Sequence, residues 1–256
     1  MMADFRSLYD CKEEYVLRRL EGSYNARRLE LEVQHFKIPN LLKVLPKEFS
    51  YTSIAEIGCG TGEIIGAFPG GNVNRRVGFD ISPLNISCAR QRFRNVEFHD
   101  LDFRSWNEKF DLLILSDILE HVPDGVGFLK DASKMARLLL INLPLEKCLL
   151  YFSRKYGPKD LSGHLAKFSM NDARDLIHAA DLGIVKWSRE WTMESRYETL
   201  RQELNEEMTG NKFSGNAYVQ VVKGIVFVIS NKIMAVGRLV FPSNLFVSAI
   251  KNDFSR

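Results

Sequence analysis

The chain has 256 residues, of which 45% are hydrophobic and 26% charged, and its formal net charge is +3. These are ordinary globular values that argue against disorder, and the net charge is too small to imply nucleic-acid binding by itself. The four cysteines lie far apart without metal-ligand spacing, which predicts free thiols in a reducing compartment. No uncharged apolar run approaches the ~18 residues of a membrane span, and no signal peptide is visible. We therefore expect a cytoplasmic α/β protein.

The N-terminal segment, residues 5–47, has apolar positions at near-helical spacing and is predicted to be largely helical. Basic and acidic side chains are interleaved along it. This mixture is typical of a solvated helix face and not of a phosphate-binding strip.

A glycine-rich stretch follows the first predicted strand. A short apolar run that contains Glu56 passes into three glycines at alternate positions and then into a helix-like run. Gly58, Gly60 and Gly62 permit positive φ or close backbone approach, so a ligand can lie against bare main chain there. Dinucleotide folds use G-x-G-x-x-G, and Glu63 occupies the place of that third glycine, which disfavours a nicotinamide oxidoreductase.

The second predicted strand ends in Asp80, which lies 22 residues after Gly58. An acid about 20 residues beyond such glycines can reach the hydroxyls of a bound ribose. Asp80 also precedes Pro83 in the manner of an ordinary helix cap. The glycine turn before it favours the ribose interpretation.

Strands and helices continue to alternate, which predicts a parallel sheet. The fourth strand is strongly apolar and is expected to be central, and Ser169 is expected to cap a helix. The strands are predicted at 53–58, 75–81, 96–102, 110–116, 138–144, 184–191 and 245–251, and the core helices at 62–68, 83–93, 124–136 and 171–181.

The segment S-D-I-L-E-H, residues 116–121, follows the fourth strand at the edge where ligands of open α/β sheets bind. A histidine there can accept a proton from an acceptor hydroxyl, because its ordinary pKa lies near ~6.5. His121 is therefore a candidate base. The alternative is that Glu120 and His121 only hold the turn into the next helix.

The turn E-I-G-C-G-T-G, the strand end G-F-D-I-S and the segment S-D-I-L-E-H-V resemble those of class I S-adenosylmethionine-dependent methyltransferases. They are most similar to the small-molecule branch that includes the ubiquinone-biosynthesis O-methyltransferases, over about residues 50–190. The resemblance implies a Rossmann-like, seven-stranded, mostly parallel sheet with helices on both faces and an antiparallel last strand between strands five and six. It also implies S-adenosylmethionine as cofactor and S-adenosylhomocysteine as product. The expected cofactor-binding residues are Glu56, Gly58, Cys59, Gly60, Gly62, Asp80, Ile81, Leu101, Asp102 and Ser116.

Similar enzymes also suggest how the chain is divided. We expect a single methyltransferase domain over 1–256, with an N-terminal helical cover at 1–50 and a core at 51–192. A helical insertion or lid is expected at 193–243, followed by the last strand and tail at 244–256. In similar enzymes an arginine of the helical cover often contacts the cofactor or acceptor, and the resemblance makes Arg28 the candidate.

Two acidic groups gain a meaning only from the resemblance. Family members carry an acid after the third strand that hydrogen-bonds the adenine amino group, and the family spacing selects Asp102 over Asp100. Ubiquinone-type and small-RNA 2′-O-methyltransferases have E-x-x-E-H, which can bind a divalent cation, where this chain has Asp117-x-x-Glu120-His121. Because Asp117 is shorter than glutamate, we predict that a metal is not required.

A second histidine belongs to the loop after the fifth strand. Similar enzymes place a histidine before a Lys/Arg-Phe-Ser segment, facing the acceptor, and this chain has His164 before Lys167-Phe-Ser. The candidate catalytic residues are thus His121 and His164. The alternative for His164 is a loop histidine bonded to backbone, and His178 is expected to be structural.

Some fifty residues separate the sixth and last strands, where a short turn would serve. Apolar residues within 217–241 fall on one helical stripe opposite Lys223 and Arg238, which predicts an amphipathic helix. Long insertions in compact domains are usually functional. We expect it to cover the acceptor pocket; the alternatives are a second copy of the chain or an anionic membrane surface.

The expected activity is transfer of a methyl group from S-adenosylmethionine to a small-molecule or lipid-like acceptor, preferably a hydroxyl oxygen. Histidines flank the expected site, and no N/D-P-P-Y/F motif of N-methylation follows the fourth strand. No nucleic-acid partner is expected, and the oligomeric state is open. The alternatives are a non-catalytic S-adenosylmethionine-binding module and a metal-assisted methyltransferase acting on RNA or another acceptor.

Overall fold

The computed structural model describes residues 23–157, 160, 163–209 and 241–252. Within them, seven strands form one sheet in the order β3-β2-β1-β4-β5-β7-β6. The strands are β1 (Ser53–Ile57), β2 (Arg75–Phe79), β3 (Glu97–His99), β4 (Phe110–Ser116), β5 (Ala136–Leu145), β6 (Leu182–Glu190) and β7 (Ser243–Lys251).

Helices cover both faces of this sheet. The α-helices are α1 (Ser23–Glu32), α2 (Ile38–Val44), α3 (Glu63–Ala67), α4 (Pro83–Arg92), α5 (Gly125–Ala132), α6 (Met170–Ala179) and α7 (Arg196–Thr209). A π-helical turn, Val33–Lys37, joins α1 to α2. None of the described helices is long and apolar enough to cross a membrane.

Strand direction confirms the predicted topology. Strands β1 to β5 pair in parallel, whereas β7 runs antiparallel to both β5 and β6. The chain leaves β1 toward β2 on one side and later returns to place β4 on the other. Ligands of open α/β sheets bind at such a switch point, beyond the carboxyl ends of the strands.

The predicted central strand shows why the sheet is buried on both faces. Leu113 and Leu115 of β4 pack into one core, together with α5 and α6. Leu112 and Ile114 point to the other face and pack with α2, α3 and α4. Side chains alternate along a strand, so a strand covered on both sides reads as one continuous apolar run.

The N-terminal helices pack against the second of these cores. Val33 and Phe36 of the π-helical turn are buried there. The beginning of the predicted insertion lies nearby, because α7 contributes Tyr197 to the same core and pairs Glu207 with Arg27 of α1 at 3.5 Å. The amphipathic helix predicted at 217–241 lies almost entirely outside the described residues.

Some element boundaries differ from the prediction for local reasons. Strand β3 has three residues instead of seven, because Asp102 already caps a short helical turn, Phe103–Ser105. Helix α5 ends at Ala132, four residues early, and the hydroxyl of Ser133 bonds back to the carbonyl of Lys130. The predicted cap of α6 is confirmed: Ser169 forms a reciprocal capping box with Asp172.

Candidate functional site

The glycine turn (residues 58–62) lies at the switch point between β1 and α3. Gly58, Gly60 and Gly62 all have positive φ, at 72°, 54° and 87°. A Cβ on Gly58 would approach Ile118 Cδ1 to 2.7 Å, whereas a Cβ on Gly60 would meet no described atom within 4 Å. The main chain is therefore bare at Gly60 and open for a ligand to approach.

Asp80, at the end of β2, shapes this turn. Its Oδ2 accepts the backbone N–H of Gly60 at 2.9 Å, and its Oδ1 accepts the backbone N–H of Ser82 at 2.8 Å. The cap of α4 is Ser82, whose hydroxyl accepts from Asn85. The carboxylate thus ties the ends of β1 and β2 together beside the open glycine.

Glu56 and Cys59 lie beneath the turn. The Glu56 side chain is 2% exposed, and its Oε2 accepts the backbone N–H of Ile65 at 2.9 Å. Burial raises the pKa of Glu56 well above its usual range, and it likewise raises the pKa of the Cys59 thiol. In this structure Glu56 supports the start of α3, and its predicted cofactor contact stays a prediction.

The predicted adenine-binding acid lies at the end of β3. Asp102 is half exposed, caps the following turn through the N–H of Arg104, and pairs with the Arg104 guanidinium at 3.0 Å. Leu101 and Ile81 are partly buried in the same rim. Asp100 faces Arg90 instead, at 3.6 Å. Because β3 pairs with β2, Asp102 and Asp80 both follow the carboxyl ends of neighbouring strands.

A network of hydrogen bonds links the carboxyl ends of β4 and β5. The carboxylate of Asp117 accepts from the Ser116 hydroxyl at 2.9 Å and from the Asn142 amide at 3.2 Å. Asn142 is fully buried and accepts in turn from Asn244 of β7 at 2.9 Å. Asp117 has φ of 52°, a conformation that non-glycine residues rarely adopt and that is often found at functional sites.

The residue of the N-terminal helices that reaches this edge is Lys37, in the π-helical turn. Its ammonium lies 2.8 Å from Asp117 and 3.4 Å from Glu32. Burial acts to raise the pKa of Asp117, but the Lys37 ammonium overcomes it and lowers that pKa below its ordinary value. Arg28, which the resemblance suggested as a contact to the cofactor or acceptor, is exposed on α1.

Glu120 is the most buried acid at this edge. Its side chain is 1% exposed, and neither carboxylate oxygen has a hydrogen-bond partner among the described residues. Burial, followed by the charge of Asp117, raises the pKa of Glu120 well above its usual range. Its carbonyl oxygen accepts the N–H groups of Leu165 and Ala166, at 2.7 and 3.2 Å. This pairing holds the loop after β5 against the end of β4.

The same pairing brings the two candidate histidines together. The rings of His121 and His164 meet edge to face, with centroids 4.8 Å apart. Nδ1 of His121 lies 3.0 Å from the carbonyl oxygen of Gly163, and Nδ1 of His164 lies 2.8 Å from Oε2 of Glu146. One donor atom from each of Glu120, His121 and His164, here named the Glu–His–His cluster, lies within 4.8 Å of the others.

The structure thus groups the predicted residues into two sets, the cofactor residues around the glycine turn and the histidines beyond β4. His178 is exposed on α6 and belongs to neither. Sequence reasoning did not find Lys37, Asn142 and Glu146. Of these three, only Asn142 could have been found from the sequence. It is a single amide in the apolar run of β5, and a buried polar group requires a partner.

Residues 48–142 match a family model described as a methyltransferase domain. The comparison with curated protein sequences finds no match. Among solved structures, magnesium protoporphyrin IX methyltransferase of Synechocystis PCC 6803, with bound S-adenosylhomocysteine, has a TM-score of 0.59 and 14% identity. The structural match covers 97% of this chain and 98% of the Synechocystis enzyme.

Two further structures share the fold. The N-methyltransferase NodS of Bradyrhizobium japonicum WM9 has a TM-score of 0.55 and 14% identity. The match covers 93% of this chain and 97% of NodS. A cyclopropane synthase of Mycobacterium tuberculosis has a TM-score of 0.56 and 14% identity, covering 84% and 83%.

The domain match over residues 48–142, the shared fold and the glycine turn together support an S-adenosylmethionine-dependent methyltransferase. The three similar structures differ in the chemistry that their names state. The acceptor atom must therefore be argued from this chain's own residues.

Proposed function

We propose that this enzyme methylates a hydroxyl oxygen of a small-molecule or lipid-like acceptor, as the ubiquinone-type branch does. One observation carries the proposal: the rings of His121 and His164, 43 residues apart in the chain, meet just beyond the end of β4. A hydroxyl must lose a proton when its oxygen is methylated, and imidazole is the side chain best suited to take that proton near neutral pH.

The residues present fit the cofactor. The bare main chain at Gly60 would receive its amino-acid portion, Asp80 would face the ribose, and Asp102 would face the adenine. Ser116 would border the methyl-transfer position. When bound, S-adenosylmethionine supplies a methyl group already activated by a sulfonium sulfur.

The chain's own contribution is therefore alignment and proton removal. The acceptor oxygen must be held in line with the bond that breaks, which is a matter of position more than of chemical activation. His164 or His121 would take the hydroxyl proton as the new oxygen–carbon bond forms. The bound cofactor would keep the electron pair of the broken bond on its sulfur, as a neutral thioether.

Metal-assisted O-methylation, on RNA or another acceptor, is the second candidate, and the Glu–His–His cluster favours it. Glu120 has two buried oxygens without partners among the described residues, next to two imidazoles. Carboxylate and imidazole donors suit a divalent cation, so these residues fit one. A cation there would supply positive charge that orients an acceptor oxygen. Two properties of Asp117 argue against a required metal: its side chain is shorter than that of glutamate, and it is already paired with Lys37.

An acceptor panel tests the first proposal. Radiolabelled methyl transfer and S-adenosylhomocysteine release would be measured with matched phenols, anilines and acidic carbon compounds of the same skeleton. We expect labelled methyl ethers from the phenols and little transfer to the anilines. Exclusive amine methylation would refute O-methylation. Tight S-adenosylhomocysteine binding without transfer to any acceptor would favour the non-catalytic module.

A chelator experiment separates the two mechanisms. After dialysis against EDTA, we expect methyl transfer to persist and added magnesium or zinc to change it little. Loss of activity on chelation and its recovery with magnesium would show that the Glu–His–His cluster works as a metal site. Binding of the metal alone, measured by calorimetry, gives the same answer without an acceptor.

The remaining expectations concern surroundings and partners. The described cysteines, Cys59, Cys88 and Cys148, are free thiols, which supports the proposed reducing, cytoplasmic setting. The predicted helix at 217–241 stays a prediction from sequence. Replacing 210–240 with a short Gly-Ser bridge is expected to preserve cofactor affinity and abolish methyl transfer. Normal methyl transfer by the deletion variant would contradict an acceptor role for this segment. If the intact chain sediments with anionic vesicles and the deletion variant does not, the segment contacts membranes peripherally.

A further inference from the structure

We propose that Glu146 is a positioning residue of this site. It holds His164 with the proton on Nδ1, so that Nε2 presents its lone pair to the face shared with Glu120 and His121. The inference rests on the function proposed above. An available lone pair is what the site needs, whether it takes a proton from a hydroxyl or contacts a cation.

The contact joins a carboxylate oxygen to one ring nitrogen. Glu146 follows β5 and is 8% exposed, and its Oε2 lies 2.8 Å from Nδ1 of His164. A carboxylate accepts hydrogen bonds, so we assign the donor of this contact to the imidazole nitrogen. A neutral imidazole has one N–H, and Nε2, on the opposite edge of the ring, is then left as an acceptor.

Arg154 pairs with Glu146 and fixes its position. Its Nη1 lies 2.5 Å from Oε1 of Glu146, and its Nε lies 3.1 Å from Oδ2 of Asp160. The guanidinium also packs over the rings of Tyr151 and Tyr156, at 5.6 and 4.9 Å. A charge-assisted pair in a largely buried setting has a defined geometry, unlike a solvated surface pair.

The backbone around His164 positions the ring without fixing its orientation, which depends on Glu146. The carbonyl oxygen of His164 accepts from Gly157 at 2.8 Å, and Gly163 is bonded to Asp160 at 2.9 Å. These bonds place the ring near His121 but do not select which ring nitrogen faces it. The pairing of Nδ1 with Glu146 selects Nε2.

His121 follows the same rule, which strengthens the inference. Its Nδ1 faces the carbonyl oxygen of Gly163, an acceptor only, so this nitrogen also donates. Its Nε2 then lies 3.9 Å from Oε1 of Glu120. Both imidazoles are thus held through Nδ1 by groups outside the cluster, which is how histidines with a working Nε2 are commonly oriented.

The test is the nitrogen NMR spectrum of histidine-labelled protein bound to S-adenosylhomocysteine. His164→Gln assigns the His164 signals, and the exposed His178 serves as internal control. We expect the Nδ1-protonated tautomer in the wild type and in Glu146→Gln, whose amide oxygen still accepts. In Glu146→Leu we expect a shift toward the Nε2-protonated tautomer. An Nε2-protonated wild type, or an unchanged spectrum in the leucine variant, would overturn the proposal.

Folding and function are separated by two further measurements. Both variants should bind S-adenosylhomocysteine within about twofold of wild type, which shows that they fold. With a phenol that turns over, Glu146→Leu should lower kcat at least tenfold with KM for S-adenosylmethionine unchanged, and Glu146→Gln should lower it less. If His164 is instead a ligand, binding of zinc alone should weaken 10–100-fold in the leucine variant.

The outcomes also distinguish this inference from the proposed function. If kcat and zinc binding are both unchanged in Glu146→Leu, the positioning role is refuted. If the tautomer depends on Glu146 but only amines are methylated, the hydroxyl acceptor is refuted and the pairing of Glu146 with His164 is confirmed.

Discussion

The two halves of the site are built in different ways. The proposed cofactor half depends on backbone conformation: three glycines with positive φ, and a carboxylate at Asp80 that bonds to nearby N–H groups. The proposed acceptor half depends on side chains from distant parts of the chain. Lys37 and Asn244, about 200 residues apart, belong to one network there.

This difference has a consequence for function. A half built from backbone geometry tolerates changes in surrounding side chains and keeps one ligand. A half built from long-range side-chain contacts can change its chemistry by few substitutions, which agrees with the variety of methyl acceptors on one fold. Variants should therefore separate cofactor affinity from methyl transfer.

The largest separation is expected from His164→Ala. Loss of a general base should lower methyl transfer to a hydroxyl by about 10²–10⁴-fold, while S-adenosylhomocysteine affinity stays the same. Steady-state kinetics and calorimetry measure the two effects. His178→Ala, which changes an exposed histidine of α6, is the matched control and should behave as wild type. A parallel loss of cofactor affinity would show that the two halves are not independent.

Lys37→Met should destabilise the fold by about 2–3 kcal/mol, because it leaves the Asp117 carboxylate without its cation. The pKa of Asp117 is lowered in the folded chain, so its stabilising effect is full above its unfolded pKa, about 3.9, and is lost as pH falls below that value. Urea unfolding between pH 2.5 and 7 should show the gap between variant and wild type closing at the acid end. A gap independent of pH would refute this assignment.

Asp80→Ala should weaken S-adenosylhomocysteine binding by about 1–3 kcal/mol, since a charged hydrogen-bond acceptor is lost. Calorimetry at one site per chain is the measurement. Unchanged affinity, or tighter binding of NAD than of S-adenosylhomocysteine, would remove the cofactor assignment of the glycine turn.

Asp102→Asn should have the smallest effect, about 0.5–1.5 kcal/mol on S-adenosylhomocysteine affinity, because the side chain is half exposed and already paired with Arg104. Asp100→Asn, the neighbouring acid that faces Arg90, is the matched control and should change nothing. An effect on the control that equals the effect on Asp102→Asn would show that the spacing selected the wrong acid.

Most of the fold was predictable because its signals are local. The apolar run of β4, the capping pair Ser169 and Asp172, and the glycine turn each lie within a few neighbouring residues. Periodicity and turn chemistry act over such distances. The end of β3 was placed too late because Asp102 also caps a turn, and a cap can override strand propensity.

The sequence by itself predicted the proposed cofactor half, since positive φ at Gly58 and Gly60 and an acid after β2 are properties of short segments. It also pointed to His121 and His164 as separate candidates. Only the tertiary structure decided that these rings touch, that Lys37 reaches Asp117, and that Glu146 faces Nδ1 of His164. The physical reason is that each of these contacts joins segments that are distant in the sequence. Sheet order and loop packing bring these segments together, and local sequence patterns do not predict such contacts.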